Sequence, residues 1–469
     1  MDADHGRRYR LERFVDEARV VVGFLARHEW RLLTASAVVR LVLIAFVAVI
    51  AAAMVLGAAR AARDRQTYAE FSERAAQQRL RPLSLRADVV ANEKGWLAVV
   101  PPAPLAALAV GQSDVYPSYL KIAARNLDAL VTGDQIEHPL AVASGHLDLA
   151  FVALFLYPLL ILALSFDLTA TERDRGTLRM VLAQPVSLRD VIAGKMIARV
   201  VLLAAPMVAF PIAIAGTASV TGFLVWTVAV LAYGLIWHGL ALIVNARGWT
   251  APANALVLAG LWLMFAIVGP ATINLLIAVR YPMPSRVEAA VQARAATQEA
   301  AVQGSRQLGQ FLQDHPTSAN VGQEGMRQFA ILQAARDKQV ADRLQLVEAA
   351  FARQLQRQRR LASWLSALSP TMIAQSVLLE AAGTSANRFE HFRDAAAQFQ
   401  REWKTYFEPR VLDAATLTEG EVAAAPTFTY QPERGGAMLS RTARPIVALL
   451  FAATLLWWAG FRAYRGYVL

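Results

Sequence analysis

The sequence predicts an all-α membrane protein with six transmembrane helices, an N-terminal interfacial amphipathic helix and two extracytoplasmic, mainly helical insertions. Two observations lead to this fold class. The 469 residues are 56% hydrophobic and only 18% charged, whereas about a quarter of the residues of soluble proteins are charged. The deficit comes from uncharged runs of about twenty residues, which is the helix length that crosses a bilayer core.

The N-terminal segment, residues 1–40, is predicted to contain an amphipathic helix over residues 10–32. Apolar side chains recur every three or four residues from Leu11 to Leu25, and Arg and acidic side chains occupy the opposite face. A helix of this kind beside a span usually lies along the membrane interface. The same pattern also fits a helix that packs on a partner protein. The segment lacks the short apolar core of a cleavable signal peptide.

Six apolar runs are predicted to span the membrane: residues 41–59, 147–166, 200–220, 222–244, 251–279 and 445–461. The third run contains Pro206 and Pro211, and the fifth is interrupted at Pro270. Only Thr221 separates the third run from the fourth, so we expect a tight hairpin there. Residues 200–279 therefore hold three consecutive spans.

Basic residues predict on which side the loops lie, because short loops rich in Arg and Lys stay in the cytoplasm. Such residues are frequent in the segment up to Arg40, in the 167–199 loop and in the 462–469 tail. All three lie on one side if the spans alternate. We therefore expect both termini in the cytoplasm and the spans in a bacterial inner (plasma) membrane. The net charge of +11 favours contact with anionic membrane lipids. Nucleic acid is not an expected partner, because no basic helix is interleaved with exposed aromatic residues.

Two large segments, 60–146 and 280–444, are then expected outside the cytoplasm. The first begins with a helix near 61–80 and continues as loops and short elements that Pro and Gly interrupt. In the second segment, Ser285 and Glu288 have the spacing of a capping box, which predicts the start of a helix.

Three further helices are predicted within 280–444. A long helix follows Gly325, another begins near Pro370 and ends at Gly383, and the last covers about 386–407. The last helix carries large aromatic residues on one face: Phe389, Phe392, Phe399, Trp403 and Phe407. An aromatic stripe at this spacing is usually core, and otherwise it is a docking face for another subunit.

The Gly194-Lys195 pair raises the question of nucleotide binding. A phosphate-binding loop needs the pattern G-x-x-x-x-G-K-[ST], in which the glycines allow close backbone approach and the hydroxyl binds magnesium. Here Met196 follows the lysine, and Arg189 stands where the first glycine should be. The chain itself is therefore not expected to bind ATP or to act as an enzyme.

Other polar residues suggest sites inside the predicted spans. His238 lies within the fourth span, where an ionisable group is costly and is often functional. It can also simply bond to a neighbouring helix. Asn254 and Asn274 in the fifth span are candidates for interhelical hydrogen bonds or for lining a cavity. The chain has no cysteine, and its seven His residues show no metal-binding spacing, so no metal site and no bound cofactor are expected.

The charged stretch between the second and third spans, ERDRGTLRMVLAQPVSLRDVIAGK, resembles the first cytoplasmic loop of the type-two ABC exporter permeases. The family pattern is an acidic residue, Gly-Thr, an apolar helix ending at Pro, an Arg and then Gly-Lys. The matching residues here are Glu172, Gly176, Thr177, Leu178, Leu182, Pro185, Arg189, Gly194 and Lys195. The span order and the N-terminal amphipathic helix also resemble this family. Typical members have short outer loops, and the long outer segments here resemble those of a subgroup.

The resemblance implies that residues 167–199 are a coupling loop, which docks in a groove of a separate cytoplasmic ATPase that binds ATP and magnesium. It also implies a partner permease, either a second copy of the chain or a sister chain. The loop residues suit this role: Gly176 breaks the helix that leaves the membrane, Thr177 can cap the next short helix, and Pro185 ends it. An ordinary charged loop is the alternative.

The expected function is therefore that of a permease subunit that exports or delivers an unidentified substrate across the inner membrane. The alternative is a mechanotransmitting subunit that acts on periplasmic partners without translocating a substrate. A transport path should need a polar cavity, and His238, Asn254 and Asn274 are the candidates to line it. A mechanical device could instead have a fully packed dimer seam. A membrane enzyme or channel is a third possibility, and the sequence shows no set of residues with the spacing of a catalytic site.

Overall fold

A computed structural model describes residues 20–80, 86–113, 116–124, 127–128, 147–215, 219–282, 353–413 and 415–466, with five isolated residues between 295 and 349. The described part of the chain is mostly helical. Six of its helices are long and apolar enough to cross a membrane, as the sequence predicts, and we call them spans 1 to 6. The fold is that of a multi-pass membrane protein.

The spans follow the predicted order with different ends. Span 1 is Ala37–Leu80, span 2 runs through Leu149–Phe151, Val152–Leu156 and Tyr157–Ser165, span 3 is Leu188–Ala215, span 4 is Val220–Asn245, span 5 runs through Ala251–Leu263, Met264–Val268 and Gly269–Arg280, and span 6 is Gly435–Ala463. Helix α1, residues 20–35, precedes span 1. It covers the second part of the predicted amphipathic helix, whose first residues lie outside the described part of the chain.

Span 5 continues through the interruption predicted at Pro270. The middle segment, Met264–Val268, is a π-helical turn in which the Gly269 N–H donates to the Met264 carbonyl five residues back. Pro270 has no N–H to donate, and the wider turn lies immediately before it. The helix thus changes its hydrogen-bond register near the proline and does not end there.

Span 3 begins at Leu188, well before the predicted residue 200. Three of its early residues, Val191, Ile192 and Met196, are buried at helical spacing, which explains why the charged residues around them are helical. Its other end also differs, because span 3 ends at Ala215 and Thr221 belongs to span 4. The connection between the two spans is therefore longer than the single residue that the sequence suggested.

Spans 2, 3 and 4 form the centre of the bundle, and spans 1, 5 and 6 lie at its outside. The apolar parts of the central spans are 61%, 56% and 67% buried, against 28%, 11% and 17% for the outer ones. Span 4 packs closely on span 6: a Cβ atom on Gly239 would lie 2.8 Å from the Leu456 Cβ, and one on Gly460 would lie 2.6 Å from a Leu242 methyl carbon. Small residues thus let these helices approach.

The alternation of the spans gives the bundle two ends. We call the end with the 166–187 loop and the 246–250 connection the loop face, and the end with the two insertions the insertion face. At the insertion face, the described part of the first insertion contains a three-stranded antiparallel sheet in the order β1-β2-β3, formed by Trp96–Val99, Tyr119–Ile122 and Leu127–Asp128. The sequence predicted only loops and short elements here.

The sheet packs against the second insertion. Helix 353–366 is followed by Pro370–Ala382, Ala386–Leu412 and Glu419–Ala423. In Ala386–Leu412 the aromatic residues Phe392, Phe399, Trp403 and Phe407 are buried against the sheet residues. The Trp403 indole N–H donates to the Ala91 carbonyl at 3.1 Å. The aromatic stripe is therefore the core of this subdomain. The capping box at Ser285 and the long helix after Gly325 fall outside the described residues, apart from the end of that helix.

Two helices of the second insertion form a hairpin that enters the bundle. The hydroxyls of Thr371 and Tyr233 lie 2.9 Å apart, and Tyr233 also donates to the Leu154 carbonyl of span 2 at 2.9 Å. The C-terminal end of Pro370–Ala382 contacts the first turn of span 4, since a Cβ on Gly222 would lie 2.9 Å from the Ala381 carbonyl oxygen. The hairpin tip therefore reaches the middle of span 4. The segment 280–444 is thus not purely external.

Candidate functional site

The 166–187 loop, which the sequence predicts to be the main part of a coupling loop, folds as two short helices after span 2. We label them α2, Ala170–Asp174, and α3, Thr177–Leu182. Between them Gly176 has φ 73°, in the left-handed region that glycine adopts without steric cost. No atom lies within 4 Å of the position of a Cβ there. The helix break predicted at Gly176 is therefore set by backbone conformation alone.

Thr177 has a different role from the predicted cap. Gly176 occupies the capping position of α3, and no side chain caps that helix. The Thr177 hydroxyl instead donates to the Glu172 carbonyl at 3.1 Å, because Thr177 is already the first helical residue. The prediction of a Thr177 cap is wrong, and the residue ties α3 back to α2. Helix α3 ends at Leu182, and Pro185 follows it in the exposed turn before span 3.

The apolar residues of α3 face in two directions. Leu178 is fully buried, whereas Met180 is 72% exposed and Val181 is 36% exposed. Arg179 is exposed as well. We call Arg179, Met180 and Val181 the tip of the loop. Exposed apolar side chains beside charges at the end of a loop offer a small surface that another protein can bind.

The base of the loop is held by Lys195, which lies in the second turn of span 3. Its Nζ is 2.7 Å from the Glu172 Oε2 and donates to the Leu168 carbonyl at 2.7 Å. From α2, Arg173 donates to the carbonyls of Gly248 and Trp249 in the connection between spans 4 and 5. The Gly-Lys motif is therefore part of an internal support, and Lys195 stabilises α2 on span 3.

Two buried asparagines join spans 2, 4 and 5 where the loop begins. Asn245 donates to the Ser165 carbonyl at 2.8 Å and accepts from the Leu168 N–H at 3.0 Å. Asn254 donates to the Asn245 Oδ1 and to the Phe166 carbonyl, both at 3.2 Å. Of the two roles predicted for Asn254, the structure shows the interhelical bond. Asn245 was missed by the sequence analysis, although a polar residue at the end of an apolar run is a visible signal.

Gly194 is the point where α1 crosses span 3. A Cβ at this position would lie 2.7 Å from the Leu25 Cβ and 3.1 Å from the Ala26 nitrogen. Nearby, the Arg199 Nη1 lies 2.7 Å from the Glu29 Oε1, and both side chains are nearly buried. Arg199 also donates through Nε to the Leu164 carbonyl at 2.6 Å. Helix α1 is thus docked on span 3 by close backbone contact and by a buried ion pair.

The start of span 3 is capped by two residues that the sequence analysis did not single out. The Ser187 hydroxyl donates to the Asp190 carboxylate at 2.6 Å, and the Asp190 N–H donates to the Ser187 Oγ at 3.2 Å. The S-x-x-D spacing is a sequence signal for such a start. Arg189 lies between them, half-buried in the first turn.

His238, Asn254 and Asn274 do not line one cavity in this chain. His238 is buried, and its Nδ1 lies 2.8 Å from the Gly234 carbonyl oxygen, whereas its Nε2 has no partner among the described residues. Asn274 is exposed on span 5, about 30 Å along the helix from Asn254. Among the described residues, no three His, Asp or Glu side chains are grouped to hold a metal ion.

Comparison with known protein families shows a similarity in the second insertion. A family model described as a domain of unknown function (DUF3526) matches residues 286–431. The match covers most of the second insertion, including the hairpin that enters the bundle and the aromatic helix after it. It does not include the six spans or the coupling loop. No curated protein matches the sequence.

Proposed function

We propose that this chain is the membrane-spanning permease subunit of an ATP-binding-cassette transporter, driven by a separate cytoplasmic ATPase subunit. The observation that carries the proposal is the division of the coupling loop into an exposed tip and a base bonded to several spans. Met180 and Val181 offer a small apolar surface to a partner. Any force on α3 would pass to α2, and from there to spans 3, 4 and 5.

The base supports such a transmission because its contacts are specific and join α2 to several elements. Glu172 joins α2 to span 3 through Lys195, and Arg173 joins α2 to the 246–250 connection. Packed elements with hydrogen-bonded contacts move together as units, which is how a small displacement at one site becomes a rearrangement of helices. ATP and magnesium would be bound by the partner ATPase, and this chain would respond to its closure.

The distribution of basic residues supports the orientation in the proposal. The loop face carries the basic residues of the coupling loop and of both termini, so we place it in the cytoplasm of a bacterium, with the spans in the inner membrane. The insertions are then extracytoplasmic. A cytoplasmic ATPase can reach the tip in this orientation.

A partner permease fits the surface of span 5. The apolar part of this span is only 11% buried, and Asn274 is an exposed polar residue on it. An amide in a membrane span gains from a hydrogen bond to another helix. We therefore place a second copy or a sister chain against this span. The substrate path would form between the two permeases, since His238 and Asn254 are packed inside one chain.

The main test measures the ATPase response to a change at the tip. The chain should be purified in lipid nanodiscs with the ATPase encoded in a neighbouring reading frame. We expect Met180→Glu to abolish co-purification and to lower stimulated ATP hydrolysis at least about tenfold, because a carboxylate at the centre of an apolar contact must be desolvated. The melting temperature of the variant should equal that of the wild type.

The matched control is Trp249→Glu, which also changes an exposed apolar residue of the loop face to an acid. We expect this variant to keep both co-purification and stimulation. Equal losses in the two variants, or wild-type behaviour of Met180→Glu, would contradict the proposal.

Mechanotransmission remains the second candidate function because one set of contacts favours it. At the insertion face, Glu380 accepts from the Ser385 hydroxyl at 2.6 Å and from the Asn387 amide at 3.0 Å, and Arg441 of span 6 donates to it at 2.5 Å. Span 6 is thus bonded directly to the outer subdomain. The chain lacks cysteine, so spin labels can be placed singly. An ATP-dependent movement of the outer subdomain, without any change between permease copies, would favour this function.

A further inference from the structure

Helix 353–366 and the turn after it present one exposed face. This face carries cationic residues at its first end and apolar residues at its last end. We label this helix α4 and the helix Pro370–Ala382 α5. Five exposed residues share the face: Arg353, Arg357, Arg360, Trp364 and Leu368. The four in the helix are spaced by three or four residues, which places them on one side of it, and Leu368 follows in the turn. Trp364 is 80% exposed and Leu368 is 69% exposed. We call these five residues the α4 stripe.

A neighbouring face of α4, about a quarter of a turn from the stripe, packs on the outer end of span 5. Gln358 donates to the Tyr281 carbonyl at 2.5 Å, and Gln354 donates to the Pro282 carbonyl at 3.1 Å. At the tip of the hairpin, the Ser369 hydroxyl donates to the Phe265 carbonyl in the middle of span 5 at 2.9 Å. The stripe therefore runs from the end of span 5 down to its middle.

The depth of each residue follows from these contacts. Arg360 is about 13 Å above Ser369 along a helix, and half of a bilayer core is about 15 Å thick. Arg357 and Arg353 lie one and two turns further out. The guanidinium groups are thus at the level of lipid headgroups, and Trp364 and Leu368 are at the level of acyl chains.

The cations of the stripe have no acidic partner in the described part of the chain. The neighbouring Arg359, which is not on the stripe, pairs with Glu390. By contrast, Arg357 and Arg360 form no ion pair with any described residue, and Arg280 at the end of span 5 stacks on Tyr281 at 4.8 Å. Three stripe arginines and Arg280 therefore place positive charge at one end of an apolar surface.

We propose that the α4 stripe binds an anionic phospholipid in the leaflet at the insertion face. Arg357 and Arg360 hold the headgroup phosphate, and Trp364 and Leu368 pack along the first part of an acyl chain. Trp364 and Leu368, the apolar half of the stripe, are both exposed, so they offer an apolar surface to the acyl chain. Guanidinium groups bind phosphate through paired hydrogen bonds. This site depends on the membrane placement of the spans and is independent of coupling to an ATPase.

The test is a lipid titration of the purified full-length chain in detergent, read by native mass spectrometry. Phosphatidylglycerol and phosphatidylcholine are added separately, and glycerol 1-phosphate is the soluble phosphate probe. We expect the wild type to bind phosphatidylglycerol in preference to phosphatidylcholine. The double variant Arg357→Gln with Arg360→Gln should bind phosphatidylglycerol about tenfold more weakly, because each basic residue near an anionic headgroup adds binding energy.

The control is Arg393→Gln with Arg401→Gln, which removes two exposed arginines from Ala386–Leu412 in the same insertion. It should keep the lipid preference, as should Arg357→Lys with Arg360→Lys, which retains the charge and remains informative if the Gln variant does not fold. Unchanged phosphatidylglycerol binding by the Gln variant would overturn the proposal. So would an equal loss in the control, or displacement of the lipid by glycerol 1-phosphate at similar concentration.

Discussion

The tip and the base of the coupling loop are a few residues apart and are built in opposite ways. At the tip, Met180 is mostly exposed and helix α3 has no side-chain cap. At the base, Lys195 is nearly buried and holds both a carboxylate and a carbonyl, and Arg199 holds Glu29 and Leu164 in the same manner. One short segment thus combines an exposed end with a tightly bonded one. Under the proposed function, the exposed tip meets the partner ATPase and the bonded base moves the spans.

The largest effect on stability is expected at the Glu29–Arg199 pair. Glu29→Gln leaves the nearly buried guanidinium without its counter-charge, and breaking such a pair by removing one partner costs about 3–5 kcal/mol. We expect a clear drop in the melting temperature of the detergent-purified protein, measured by intrinsic fluorescence.

The double variant Glu29→Leu with Arg199→Met serves as the control for this prediction. It removes both charges and should recover much of the loss, because a buried ion pair and an apolar pair of similar size are often close in stability. A wild-type melting temperature for Glu29→Gln would show that this pair does not hold the base, and that the base is no more rigid than the tip.

Much of the fold could be predicted from the sequence because a bilayer imposes simple rules. Apolar runs of sufficient length give the six spans. The helix break at Gly176 could also be predicted, since glycine favours a change of backbone direction. Both features depend on local sequence alone. The predicted start of span 3 was wrong because charged residues such as Lys195 are typical of a loop. In the structure, Lys195 is helical and donates a hydrogen bond inside the protein.

The roles of Gly194 and Lys195 could not be predicted, because they depend on distant parts of the chain. A small residue is needed at Gly194 because Leu25 and Ala26 of α1 cross it. Lys195 can be buried because its ammonium group pairs with the Glu172 carboxylate and donates a hydrogen bond to the Leu168 carbonyl. The resemblance to the family motif identified both residues as part of the loop region, and it predicted none of these contacts. The sheet was missed for a similar reason, since strands of four residues such as Trp96–Val99 are stabilised by packing on Ala386–Leu412 more than by any pattern of their own.

An intermediate effect is expected where α1 crosses span 3. Gly194→Leu places a side chain where the backbone of α1 now lies, and overpacking of this kind costs about 1–3 kcal/mol. We expect a lower melting temperature and faster proteolysis between α1 and span 1. Gly260→Leu in span 5 is the matched control, because no atom lies within 4 Å of its Cβ position. Equal behaviour of the two variants would mean that α1 is not held against span 3.

The smallest effect on stability is expected at Lys195, and it separates the two halves of the loop most sharply. Lys195→Met keeps the length of the side chain and removes the bond to Glu172, whose side chain is 38% exposed and can turn to water. The loss should be about 1 kcal/mol. If the base transmits motion and the tip binds, this variant should co-purify with the ATPase as the wild type does and should fail to stimulate it. Loss of co-purification would instead place binding at the base. Normal stimulation would show that force reaches the bundle by another route, through Arg173 and the connection between spans 4 and 5, and that the Glu172–Lys195 bond only stabilises the fold.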